Sequence, residues 1–324
     1  MTTVDPVLEV SHLKTHFFTD RGVVKAVDDV SFRVMAGEVL GIIGESGSGK
    51  SVTALSVMGL VPRPPGRILG GQIRFRGDNL LDKSPEEMVH RRGNHIAMIF
   101  QDPMTSLDPA FTIEEQLVET ISFHRRVGNG EARTIAVDML ARVKIPSPAE
   151  RLKNYPFQLS GGMRQRVMIA MALSCQPDLL IADEPTTALD VTIQAQILVL
   201  LRELQREFGM AIIFITHDFG VISELADRVA VMYAGKILET ADVGVIFDHP
   251  QHPYTLGLME SRPVLGRRRR LAPIDGSPPN LLNPPPGCPF APRCPEMIDE
   301  CWAAVPPVRR VGNEHFARCI RRGN

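Results

Sequence analysis

The stretch Gly41-Ile-Ile-Gly-Glu-Ser-Gly-Ser-Gly-Lys-Ser51 limits the possible folds more than any other part of the chain. From Gly44 it follows the pattern G-x-x-x-x-G-K-[ST], a glycine-rich turn between a strand and a helix. The apolar run Val39 to Ile43 reads as the buried strand. Gly44, Gly47 and Gly49 admit backbone angles that a Cβ forbids, so successive N–H groups can turn inward and cradle phosphates. Lys50 adds a point charge for the β- and γ-phosphates. Ser51 opens the following helix, whose positive end favours the same anion and whose apolar period runs through Val52, Leu55 and Met58. The Ser51 hydroxyl is placed to hold Mg²⁺. A chance glycine-rich turn would lack both flanks, so the stretch is read as a binding loop for a nucleoside triphosphate.

At 324 residues the chain is long enough for a large core and an appended domain. A hydrophobic content of 44 % with 23 % charged residues is ordinary for a soluble globular protein. A formal net charge of −1 gives no basic footprint, and no nucleic-acid partner is expected. No uncharged apolar run approaches the ~20 residues of a membrane helix. The first residues lack a basic and then apolar signal region. The expectation is a cytoplasmic chain that reaches a membrane by docking to a partner.

Three short strands, Val7 to Val10, Val23 to Val27 and Val30 to Val34, together with Gln72 to Phe75, suggest a small antiparallel sheet. Phe17 and Phe18 lie among them, each suited either to a purine face or to the core. Three prolines and three glycines mark 61 to 71 as loop. Leu80 to Gly93 reads as a short helix, and Ile96 to Phe100 as a strand ending at Gln101. The segment Gln101-Asp-Pro-Met-Thr-Ser-Leu-Asp-Pro109 is turn-rich. Residues 112 to 158 read as helical throughout, with Ile113 to Arg126 and Glu131 to Val143 as the main pieces, and so form a separate helical lobe.

In Leu159-Ser-Gly-Gly-Met163, Ser160 is placed as a helix cap, with Gly161 and Gly162 in the first turn. Two glycines there weaken the helix by ~1 kcal/mol each. They leave a bare N-terminus that a phosphate can approach closely. Leu179 to Ala182 is an apolar strand ending in Asp183-Glu184, an acidic pair that is hard to reconcile with core. Asp183 suits Mg²⁺, and Glu184 suits an attacking water. Asp190 to Phe208 reads as a long amphipathic helix. Ala211 to Thr216 is another strand and ends at His217. Strands ending at Gly44, Asp183 and His217 suggest one parallel sheet with its ligand at their carboxyl ends, which makes His217 a candidate γ-phosphate contact. Val229 to Tyr233 and Lys236 to Glu239 read as a hairpin around Ala234-Gly235.

Beyond residue 250 the composition changes. Fourteen of the 26 prolines lie in 250 to 324, and from 260 onward 11 arginines face 6 acids, a net of +5. Arg267 to Arg270 are consecutive, and without interleaved aromatics they read as a solvated linker. Cys288, Cys294, Cys301 and Cys319 crowd this tail, which has few periodic apolar residues and needs a staple. Their spacing lacks both the close pairs of structural zinc and the ferredoxin run, so on spacing alone any metal, or plain thiols, is possible. Cys175, at the end of an apolar helix, reads as core.

Taken together, the motifs of residues 7 to 250 closely resemble the ATP-binding-cassette (ABC) ATPases: the phosphate loop, Gln101, Leu159-Ser-Gly-Gly-Met163, Leu179 to Glu184, Ala188-Leu-Asp190 and His217 occur in that order. The resemblance implies an α/β fold, a P-loop nucleotide-binding domain over residues 1–250. It would have a parallel-sheet core, a small antiparallel subdomain and a helical subdomain at about 103–160, followed by a Pro/Cys-rich domain over 251–324. It implies ATP and Mg²⁺ as ligands. Phe17 would stack on adenine, and Gly44, Glu45, Ser46, Gly47, Ser48, Gly49, Lys50, Ser51 and Val52 would hold the phosphates. Asp190 joins the nucleotide-binding set. Ser51, Gln101 and Asp183 would hold Mg²⁺, Glu184 would be the catalytic base, and His217 would bridge γ-phosphate and base. Two such subunits pair head to tail, so that Ser160, Gly161 and Gly162 contact the ATP of the partner.

The stretches Ile99-Phe-Gln-Asp-Pro-Met-Thr-Ser-Leu-Asp-Pro-Ala110, Asp183-Glu-Pro-Thr-Thr-Ala-Leu-Asp190 and His249-Pro-Gln-His-Pro-Tyr-Thr-Leu256 narrow the resemblance to dipeptide, oligopeptide and nickel importers. The resemblance implies an ATPase subunit that drives uptake of di- or oligopeptides, with nickel or another small solute as the alternative and a soluble non-transport ATPase as a more distant one. It implies two membrane permeases and a second homologous ATPase as partners, an extracytoplasmic peptide-binding protein acting indirectly, and a place on the cytoplasmic face of the membrane. It favours a [4Fe–4S] cluster on the four tail cysteines, with Zn²⁺ as the runner-up.

Overall fold

The computed structural model describes residues 5–101, 106–187, 189–261 and 273–323. Part of the proline turn after Gln101, Ala188 and the arginine run 267–270 lie outside the described residues. The strands, in chain order, are β1 (Leu8–Thr19), β2 (Gly22–Val34), β3 (Val39–Ile43), β4 (Gly66–Phe75), β5 (Asp78–Asn79), β6 (Ile96–Ile99), β7 (Leu179–Asp183), β8 (Ala211–Thr216), β9 (Arg228–Tyr233), β10 (Lys236–Asp242), β11 (Arg309–Gly312) and β12 (His315–Ala317). The chain divides into two compact units. One is built from residues up to Leu8, Val34–Glu38 and Asp82–Ile215, the other from Glu9–Arg33, Val39–Leu81 and everything from Thr216 onward. Among the described residues no helix is long and apolar enough to cross a membrane.

In the first unit β6, β7 and β8 run parallel, in register from Ile96↔Leu179 and Leu179↔Ala211. Residues 179–182 and 211–215 are buried throughout, which is why they read as unbroken apolar runs rather than as an alternation. The helices predicted over 112–158 are present, in the same unit as these strands. Its helices Ile113–Arg125 and Asn129–Arg142 bury Leu117, Ile121, Ala132, Ala136 and Leu140. A reciprocal cap starts the first of them: Glu115 N–H donates to Thr112 Oγ1 (3.3 Å), and Thr112 N–H donates to the Glu115 carboxylate (2.7 Å).

In the second unit β1, β2, β4 and β5 form a four-stranded sheet in the order β2-β1-β4-β5. The strands predicted at Val23 to Val27 and Val30 to Val34 are one strand. Asp29 sits in its middle at φ 70°, an irregularity that sequence alone presents as a break. The loop expected over 61–71 ends early, because β4 begins at Gly66 and runs through Gly70 and Gly71. Gly71 has φ 96°, and a Cβ there would stand 2.7 Å from the His12 backbone. Glycine at this point marks a close approach of two strands rather than a turn.

The unit's other strands carry the phosphate loop and the tail. β3 pairs parallel with β9 (Leu40↔Arg228 to Ile43↔Val231), and β9 turns through Ala234-Gly235 into antiparallel β10, as expected. The tail then adds strands that its composition did not announce. β12 pairs antiparallel with β10 (Glu239↔Ala317), and β11 with β12. Glu239, 1 % exposed, sits where they meet. Its carboxylate accepts from Gln251 N–H (2.6 Å) and His252 N–H (2.9 Å), and lies 2.7 Å from His315 Nε2. Protein donors thus replace water around a buried charge. Glu239→Ala removes the shared acceptor and is expected to cost about 3–5 kcal/mol. Urea unfolding of the purified chain measures this, and an unchanged midpoint would show that the tail does not depend on it.

Candidate nucleotide site

The phosphate loop leaves β3, whose residues are all buried, and enters the helix Lys50–Met58. Gly49 caps that helix at φ 105°, and a Cβ on it would collide with the Ala26 carbonyl oxygen. Lys50, 5 % exposed, folds back over the loop, its Nζ donating to the carbonyl oxygens of Gly44 (2.8 Å) and Glu45 (3.1 Å). Ser48 N–H donates to Glu45 O (3.2 Å), and Gly235 N–H donates to Ser48 O (2.8 Å), so the β9–β10 turn braces the loop from below. Ser46 and Gly47 form its exposed tip, while Ser51 and Val52 are half-buried in the first helical turn.

Glu45 has partners that sequence reading missed. Its N–H donates to the Tyr254 hydroxyl (3.0 Å), and its carboxylate accepts from Arg293 Nη1 (2.8 Å). Tyr254 is fully buried against Tyr233 and Phe290, with ring centroids 4.5 Å and 5.3 Å away. Burial pushes its phenol well above the ordinary tyrosine value, so it stays neutral and keeps an oxygen for Glu45. Tyr254 lies in a stretch with visible motif character and Arg293 in the basic tail, but their target lies 209 and 248 residues away in the chain.

In the first unit β7 delivers Asp183, 5 % exposed, at its last position. Glu184 follows at φ 47°, its N–H donating to Ile215 O (2.9 Å). Its carboxylate accepts from Gln101 Nε2 (3.2 Å) and Thr187 Oγ1 (3.0 Å). The Gln101 amide thus holds the Glu184 carboxylate at the acidic strand end, and Thr187 is a further partner hidden inside the Asp183-Glu-Pro-Thr-Thr187 run. His217, in the second unit, is exposed directly after β8. Asp218 then caps the next short helix, accepting from Gly220 N–H (2.7 Å).

Ser160 caps the helix Gly161–Leu173 as predicted, its hydroxyl accepting from Met163 N–H (3.3 Å). Ser160 is exposed, and among the described residues no neighbour stands within 4 Å of where a Cβ on Gly161 would lie, so the helix start is open on that side. Gly162 faces Ile193, which would be 3.0 Å from a Cβ. Asp190 caps the helix Val191–Phe208, accepting from Ile193 N–H (2.9 Å). Phe17 is half-buried beside Gly66, while Phe18 is exposed with the Arg67 guanidinium 5.0 Å over its ring.

Cys288, Cys294, Cys301 and Cys319 line one cavity of about 10 Å³ together with His252 and Glu296. Burial pushes the Cys288 thiol up to about 11 and raises those of Cys294 and Cys319, with neighbouring cysteines adding to the effect. Four sulfurs match the donor set of an iron–sulfur or zinc centre. The cavity has room for about one water, and among the described residues no three His, Cys, Asp or Glu stand close enough to hold a metal ion. The donors fit the expected cluster, and the space between them does not. Cys175 is buried, as expected for core.

A family model described as ABC transporter matches residues 27–187, and one described as oligopeptide/dipeptide transporter, C-terminal region, matches 238–301. The chain is 51 % identical over 317 residues to the dipeptide transport ATP-binding protein DppD of Bacillus subtilis (strain 168), covering 98 % of this chain and 95 % of the relative. It is 50 % identical over 315 residues to the oligopeptide transport ATP-binding protein AppD of the same organism, covering 97 % and 96 %. It also superposes on an ATP-binding cassette solved as a dimer in a post-hydrolysis state with ADP and Pi, at TM-score 0.65 and 26 % identity over 73 % of this chain and 98 % of that one. With its phosphate loop, its Ser-Gly-Gly helix start and full-length identity to these relatives, the chain belongs to the ABC transporter family as an ATPase subunit of the α/β nucleotide-binding-domain fold.

Proposed function

We propose that this chain hydrolyses ATP to drive import of dipeptides or oligopeptides through membrane permease partners. The observation that carries this reading is that the likeness to dipeptide and oligopeptide transport ATP-binding proteins runs the whole length, tail included. In this reading residues 1–250 are the cassette, with a helical subdomain at about 103–160, and 251–324 are a peptide-transporter C-terminal domain. The subunit lies on the cytoplasmic face of the membrane under two permeases, pairs with a second homologous ATPase, and receives solute from an extracytoplasmic peptide-binding protein.

The roles of the residues follow from their chemistry. The backbone of 44–52 and Lys50 hold the triphosphate, and Phe17 offers its ring to the adenine. Ser51, Asp183 and Gln101 supply the oxygen donors suited to Mg²⁺, whose charge offsets that of the phosphates. Glu184 takes the proton of the attacking water. Its bonds from Gln101 and Thr187 fix its direction before substrate arrives. His217, at the end of β8, bridges γ-phosphate and base. The open helix start at Ser160, Gly161 and Gly162 binds the γ-phosphate on the partner ATPase, so ATP joins the pair and its cleavage releases it. Asp190 orders the segment between base and helix through its cap. Cys288, Cys294, Cys301 and Cys319 would hold a [4Fe–4S] cluster, or Zn²⁺ as the alternative, as a staple for a tail poor in apolar periodicity, once the thiols move apart from the narrow gap they enclose here.

Glu184→Gln is expected to bind Mg-ATP normally while hydrolysis in the assembled transporter falls about 10²–10⁴-fold, the usual worth of a general base; near-normal turnover would remove Glu184 from that role. Disruption of the gene is expected to abolish uptake of labelled di- or tripeptides in cells. Intact peptide uptake with lost nickel uptake would replace the peptide reading. Iron, acid-labile sulfide and zinc analysis of anaerobically purified protein is expected to give about four irons and four sulfides per chain. About one zinc would substitute that metal, and neither would leave four plain thiols.

A further inference from the structure

Glu45 lies inside the loop that must accept a polyanion, and its side chain is 23 % exposed. An unpaired acid there would repel the phosphates directly. Arg293, 6 % exposed, meets it from the tail, Nη1 to Oε2 at 2.8 Å. The rest of the guanidinium is committed as well. Nη1 also donates to the Tyr233 hydroxyl (3.2 Å), Nε to Asp275 O (2.9 Å) and Nη2 to Ile274 O (3.3 Å). Such a fork is fixed in direction, unlike a lysine ammonium on a flexible stem. Its own backbone is fixed by the 3₁₀ turn Ala291–Arg293, which hangs between Cys288 and Cys294: Ala291 N–H donates to Cys288 O (3.0 Å), and Cys294 N–H donates to Ala291 O (3.3 Å).

We propose that Arg293 is a positioning residue for ATP binding: it neutralises Glu45 and holds the phosphate loop in its receptive shape, so that the tail sets nucleotide affinity. This rests on reading residues 44–51 as the nucleotide loop. The tail is then more than an appendage, because the turn that carries Arg293 is built on the same cysteines that line the tail cavity.

The test is titration of the full-length chain with a fluorescent Mg-ATP analogue, with thermal unfolding measured alongside. Arg293→Gln is expected to raise the Kd about tenfold. Arg293→Lys, which keeps the charge without the fork, is expected to fall in between. Arg293→Gln combined with Glu45→Gln is expected to recover affinity to within about threefold of the native chain, because the uncompensated charge is gone. In the assembled transporter the KM for ATP rises while kcat changes little. Native affinity in Arg293→Gln overturns the proposal. So does a double variant as weak as the single one, which would indicate a merely structural role. If Arg293→Gln does not fold, native affinity in Arg293→Lys overturns it equally. Lys50→Ala separates the underlying reading: retained nucleotide binding in that variant would show that the loop itself had been misassigned.

Discussion

A loop that must offer backbone N–H groups to phosphate has few of them to spend on holding its own shape. The phosphate loop here draws that shape from side chains and from neighbouring backbone. Lys50 Nζ ties the carbonyls of Gly44 and Glu45, the Ala234-Gly235 turn reaches Ser48 O, and Tyr254 and Arg293 take the two ends of Glu45. Each partner is itself immobilised, Tyr254 in an aromatic cluster with Tyr233 and Phe290, and Arg293 by carbonyls of its own tail. Preorganisation of this kind moves the ordering cost from binding to folding.

The acidic end of β7 solves a related problem in another way. Glu184 sits at φ 47°, a conformation that costs a non-glycine residue of order 1–3 kcal/mol. Its N–H bond to Ile215 O and its carboxylate bonds from Gln101 and Thr187 hold it there. The buried strand delivers Asp183 in register with Ile215, and the strained residue after it turns its carboxylate toward Gln101 and Thr187. Strain over-determined by hydrogen bonds, at the end of a fully apolar strand, suits a group that has to point one way.

What was legible in the sequence was local. The phosphate loop, the Ser160 cap, the strand ends at Asp183 and His217 and the helices after Thr112 each depend on a run of adjacent residues, and all of these elements are present. The misses share a non-local cause. Asp28-Asp29 looks like the end of a strand until the partner strand accommodates the irregularity, and Gly70-Gly71 looks like a turn until β1 is seen lying against it. β11 and β12 are short, four and three residues, and β12 pairs with the edge that β10 offers. Arg293 reads as one more basic residue in a basic tail, and nothing near it in sequence names Glu45 as its partner. The cysteines crowd the tail in sequence, but spacing alone gave no account of the small cavity they line.

The central claim is that this ATPase subunit works beneath membrane permeases. The most direct measurement is capture of the Glu184→Gln chain with Mg-ATP from detergent-solubilised membranes, followed by mass spectrometry of what comes with it. The account predicts two multi-span membrane proteins and a second, homologous ATPase. Recovery of ribosomal or nucleic-acid-bound proteins, with no membrane protein among them, would contradict it.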